Sequence, residues 1–90
     1  MSLLSRLFGG KSPEVAQSAE DYKGMRIYPE PIREGQTYRL SARIEQDSGG
    51  EIREHRLIRA DTFTDAAQAV DASTAKAKQM IDEQGDRLFD

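Results

Sequence analysis

The segment from Thr37 to Ala60 leaves the chain little choice of fold. Tyr38, Leu40, Ala42 and Ile44 alternate with Arg39, Ser41, Arg43 and Glu45, the period of two required of a strand that buries one face. Asp47, Ser48, Gly49 and Gly50 follow. Glycine adopts positive φ without steric cost, so the backbone can reverse there in a tight turn. The run from Glu51 to Arg59 then returns as a second strand. An antiparallel hairpin is therefore the frame on which everything else must pack.

Its register can be tested against the side chains. With Gly49 and Gly50 as the turn residues, Ile44 faces His55, Ala42 faces Leu57 and Leu40 faces Arg59, which gathers most of the apolar groups on one face. The other face then sets Arg43 opposite Arg56 and Glu45 opposite Glu54. Like charges directly across are unfavourable, although diagonal Arg and Glu neighbours offset part of that cost. A three-residue turn or a bulge would instead turn Ile52 and Ile58 inward. The two-glycine register is preferred, and the alternative stays open.

Ahead of the hairpin, Met25 to Tyr28 reads as a short strand. Pro29 and Pro31 have no N–H to give a ladder, which points to a sheet edge, and Arg33 to Gln36 makes a turn around Gly35. Behind the hairpin, Asp65 is an N-cap with Gln68 three positions on, Thr64 being the alternative cap. Ala66, Ala69, Val70, Ser73, Ala77, Met80 and Ile81 recur at helical spacing. Gly85 stops that helix, and Leu88 and Phe89 beyond it are free to fold back as a plug. The expected fold is α+β: a three-stranded antiparallel meander with one long C-terminal helix packed on one face, spanning residues 22–90.

Residues 1–21 read as a flexible tail. Leu3, Leu4, Leu7 and Phe8 form one stripe of a short amphipathic helix that Gly9 and Gly10 end. So short a helix orders only by docking on its own domain, a partner or a membrane surface, and these four residues are candidates for partner docking. Arg6 and Lys11 offer little attraction to anionic lipid, and no stable membrane insertion is expected. The opening also lacks the apolar stretch and cleavage site of a secretory signal, which sets a cytoplasmic expectation.

Composition then excludes most chemistry. The 90 residues contain no cysteine and one histidine, so cysteine–zinc and paired-histidine metal sites are ruled out. No glycine-rich phosphate loop follows a strand. A lone His55 facing Ile44 reads as a packing residue. No enzyme activity, cofactor or metal is expected.

Charge is distributed unevenly behind a net value of −3. Residues 23–60 carry eight basic and six acidic groups, whereas residues 61–90 carry three and seven. Arg39, Arg43 and Arg56 on the exposed sheet face are therefore candidates for contact with DNA phosphates or an acidic partner, since guanidinium forks match phosphate oxygens. Glu45, Glu51 and Glu54 interleave with them, as on an ordinary solvated sheet. Asp82 and Glu83 oppose the helix dipole at its C-terminal end, so a basic partner is expected there, either Arg53 or Arg87.

Three stretches carry a family likeness: YKGMRIYPEPI at 22–32, EHRLIRADTF at 54–63 and KAKQMIDEQGDRLF at 76–89. With the MSLLSRLFGG start, the chain resembles the small bacterial HlyU family, labelled transcriptional activators. That resemblance implies a small regulatory protein connected with haemolysin or virulence expression, acting on DNA directly or through a protein partner. The same label is carried by a winged helix-turn-helix regulator, whose helix-rich pattern is not seen here; the one long helix of this chain is acidic and committed to the sheet, which speaks against direct DNA binding through it. A second class of function is an interaction module or homodimer with no nucleic-acid role, using a sheet edge or the apolar N-terminal segment.

Overall fold

A computed structural model describes residues 19–90 of the chain. The expected tail-docking residues Leu3, Leu4, Leu7 and Phe8 lie outside the described residues. The strands are β1 (Glu20–Tyr22), β2 (Met25–Pro29), β3 (Ile32–Glu34), β4 (Thr37–Ser48) and β5 (Glu51–Phe63), followed by helix α1 (Ala66–Gln84) and a closing 3-10 turn (Gly85–Phe89). The class is α+β as expected, but the antiparallel sheet has five strands rather than three.

The additional strands have local causes. Lys23 and Gly24 both take positive φ, so two residues suffice to fold β1 back on β2. β1 pairs with β2 from Tyr22↔Met25 to Glu20↔Ile27, and β2 is therefore internal along that stretch rather than an edge. Pro29 lies past the end of β1 pairing, where its missing N–H costs nothing. Pro31 interrupts the ladder, and the chain resumes as β3 against the first half of β4. The long β4 is thus the spine, with β2 and β3 end to end along one side and β5 along the other.

The hairpin takes the two-glycine register. Gly49 and Gly50 have φ of 59° and 89°, and Ile44↔His55, Ala42↔Leu57, Arg43↔Arg56 and Glu45↔Glu54 are the observed pairs. Leu40 does not face Arg59 as expected. The register shifts between Ser41↔Ile58 and Arg39↔Thr62, so β5 accommodates Arg59, Ala60 and Asp61 where β4 has Leu40 alone. Such a bulge strengthens the local twist. Ile52 and Ile58 consequently face solvent on the helix-free side, 62% and 48% exposed.

Alternation places Met25, Ile27, Leu40, Ala42, Ile44 and Leu57 on the other side, buried beneath Ala77, Met80 and Ile81 of the helix, with Leu88 folded in from the closing turn. Asp65 caps α1 by accepting from the Ala67 N–H at 3.1 Å, and the N–H of Gly85 closes the far end on the Ile81 carbonyl. Small residues along the buried stripe, Ala69, Ser73 and Ala77, let the helix lie close to the sheet. Ser73 has a second role: its Oγ accepts the main-chain N–H of Ser41 at 3.1 Å. Ser41 sits where β2 has given way to Pro31, so that N–H finds its acceptor on the helix, while the Ser41 carbonyl accepts from Glu30.

The acidic end of α1 is compensated by neither Arg53 nor Arg87 at Asp82. Lys23, from the β1–β2 turn, approaches Asp82 to 2.6 Å, and the Tyr22 hydroxyl donates to the same carboxylate at 3.0 Å. The Lys23 ammonium, and then the tyrosine, hold the Asp82 carboxyl below its ordinary value. Arg87 instead donates to the Glu83 carbonyl, and Arg53 approaches Asp86. This fastens the first hairpin to the helix end.

Candidate functional site

The sheet face turned away from α1 carries a connected set of charged side chains. Period-two alternation puts Arg26 and Tyr28 of β2, Arg43, Glu45 and Asp47 of β4, and Ile52, Glu54, Arg56 and Ile58 of β5 on this side, in adjoining rows. Glu30 stands beside them in the break between β2 and β3.

The rows form one network of opposite charges. Arg43 pairs with Glu30 at 3.0 Å and with Glu45, and its guanidinium lies 4.0 Å over the Tyr28 ring. Arg56 pairs with the other oxygen of Glu30 at 3.2 Å and with Glu54 at 3.5 Å. Arg26 reaches Glu45 at 3.3 Å and Asp47 at 3.2 Å. The observed like-charge pairs Arg43↔Arg56 and Glu45↔Glu54 are thus tolerated because Glu30 bridges the two arginines and the remaining contacts run to neighbours of opposite sign. Glu30 foremost, with Glu45, raises the Arg43 guanidinium above its ordinary value. Partly exposed pairs of this kind are individually weak, because solvent screens them.

Arg39 is separate. It lies further along β4 and makes a two-pronged contact with Glu34 of β3 at 2.7 and 2.9 Å, which holds the Glu34 carboxyl below its usual range. It also donates to the Arg59 carbonyl. The structure therefore brings Arg43 and Arg56 together through Glu30 and keeps Arg39 on a different carboxylate. In this network Arg26, Arg43 and Arg56 share four carboxylates, Glu30, Glu45, Asp47 and Glu54, and Asp21 stands opposite Arg26 on the same face. A phosphate would compete for Arg43 with Glu30 and Glu45, which already pair with it.

Sequence reasoning passed over Glu30, treating its surroundings only as a proline-broken strand end. Its place two residues after Tyr28, on the parity of the exposed face, was the available signal. A shallow groove of about 450 Å³ between α1 and the first strands is lined by Glu20, Pro29, Val70, Thr74 and Lys78, but Lys78 spans it to pair with Glu20. Among the described residues no group of three or more His, Cys, Asp or Glu side chains is arranged to hold a metal ion, and none of their helices is long and apolar enough to cross a membrane.

A family model described as transcriptional activator HlyU matches residues 2–89. The chain belongs to the HlyU family. No curated protein and no solved structure matches it. The match makes this HlyU chain a member of a family of transcriptional regulators, and the surface that a regulator offers its target becomes the question. In this HlyU protein α1 has its apolar stripe buried on the sheet. Among the described residues, the charged face and the outer edge of β5 are two surfaces open to contact.

Proposed function

We propose that the protein is a non-enzymatic cytoplasmic regulator that promotes transcription through a protein contact, and that it does so without gripping DNA on its arginine-bearing face. Haemolysin or virulence genes are the class of target that the family resemblance implies. The observation that carries this reading is the pairing of Arg39, Arg43 and Arg56 with carboxylates. A DNA-binding face works by releasing counterions from phosphates to free cationic groups. Here each candidate arginine already has an anionic partner held by the fold, and the face bears an excess of carboxylates.

The reading is tested in a host deleted for the gene. Deletion lowers a set of transcripts, and re-supplied protein carrying Arg39→Gln and Arg43→Gln restores them to the wild-type level, measured by quantitative reverse-transcription PCR. Loss of restoration by a variant whose circular dichroism matches the wild type, accompanied by loss of a DNA affinity that the wild type shows, would contradict the protein-contact route. Unchanged transcripts on deletion would contradict a regulatory role altogether.

A further inference from the structure

The outer edge of β5 is unpaired among the described residues, because β5 pairs only with β4. Such an edge is a template for another strand. Ser48↔Glu51 closes the two-residue turn, so Glu51, Arg53, His55 and Leu57 direct their main-chain groups to β4, and Ile52, Glu54, Arg56 and Ile58 direct theirs outward. Ser41 obeys the same parity: opposite Ile58, it gives its N–H and carbonyl to Ser73 and Glu30 on the far side of β4.

We propose that the occupant of this edge is a second copy of the chain, paired antiparallel about a two-fold axis through His55. The sequence from Glu51 to Arg59 reads Glu-Ile-Arg-Glu-His-Arg-Leu-Ile-Arg. Folded about His55 it is complementary to itself. Glu54 of each copy faces Arg56 of the other, Ile52 faces Ile58, and Glu51 faces Arg59. The outward pairs Ile52–Ile58 and Glu54–Arg56 are also those whose main-chain groups are free, so each can exchange two hydrogen bonds. Because Glu54 and Arg56 already touch within one copy, the dimer closes a ring of four charges alternating in sign around the axis.

Neighbouring registers lack this match. Centring the axis on Glu54 sets that carboxylate against itself and Ile52 against Arg56; centring it on Arg56 sets two guanidiniums together. The usable span is bounded on one side by the Gly49–Gly50 turn and on the other by the bulge at Arg59 to Asp61, which turns the strand away. Both exposed isoleucines, the largest apolar exposures on β5, fall inside it and would be covered. Arg59 now donates to the Ile58 carbonyl, which keeps a second lone pair for the partner strand. A two-fold axis normal to the sheet leaves both helices on one side of a continuous ten-stranded sheet.

Sedimentation equilibrium of the full chain tests this with charge reversals. Wild type gives a concentration-dependent dimer. Glu54→Arg alone and Arg56→Glu alone each turn two attractive contacts into repulsions and weaken dimerisation by about tenfold or more. An equimolar mixture of the two single variants restores the dimer mass, since every facing pair is again opposite in sign, and the variant carrying both reversals does so alone. A wild type that stays monomeric at high micromolar concentration overturns the proposal. So does a dimer indifferent to the single reversals, or a mixture that remains monomeric. Rescue by mixing cannot arise from misfolding of either variant.

Discussion

Replacing Ile44 with alanine is expected to remove most of the stability of the domain. Ile44 has no solvent exposure, stands on the spine strand, and pairs with Ile27 on one side and His55 on the other. Losing a buried isoleucine side chain costs about 2–5 kcal/mol through lost transfer energy and the cavity left behind. A domain of this size has roughly 5–15 kcal/mol in total, and a small one lies near the lower end. The reserve for repacking is slight: of 17 Leu, Ile, Val and Phe residues, five precede residue 22, and Ile32, Ile52 and Ile58 face solvent. Urea unfolding followed by circular dichroism should show the midpoint falling sharply for Ile44→Ala. Ile32→Ala, at an exposed position of the same sheet away from the β5 edge, should shift stability by no more than about 0.5 kcal/mol.

Ser73→Ala is expected to cost about 1–3 kcal/mol despite removing a single oxygen, because it leaves the buried Ser41 N–H with no acceptor. Both serines are buried, at 2% exposure for Ser41 and 0% for Ser73, so water does not readily replace the lost partner. The break in the sheet creates this demand, and the helix supplies the acceptor. Thr74→Ala, one residue on and only partly buried, serves as the control and should be close to neutral. Hydrogen exchange gives an independent reading: the Ser41 amide should lose protection in Ser73→Ala while the Ile44 amide retains most of its own.

The sequence pattern made much of this architecture legible because period-two and helical periodicities are direct consequences of one-sided burial. The alternation from Tyr38 to Glu45, the two glycines of the turn, the Asp65 cap and the stop at Gly85 were all readable, and so was the burial of Leu88. β1 was not readable, because a three-residue strand of mostly exposed residues has no periodicity, and its turn depends on Lys23 accepting a positive φ that lysine rarely adopts. The bulge at Arg59 to Asp61 was equally silent, since nothing in those residue types announces an interrupted ladder. Ser73 appeared only as a small residue on the buried stripe; its hydrogen bond depends on a gap opened by Pro31 more than forty positions earlier in the chain. The candidate arginines were identifiable as exposed and basic, but the bridging Glu30 emerges only when three strands are set side by side.

Fluorescence anisotropy of labelled duplex DNA titrated with the full chain shows whether the arginines of the open face, held by carboxylates, leave DNA ungripped. At about 50 mM salt, where phosphate contacts are strong, no saturable rise is expected at protein concentrations up to about 100 μM. A saturable rise at low salt that collapses as salt is raised to about 200 mM, and that is lost in the Arg39→Gln, Arg43→Gln variant, would contradict that expectation.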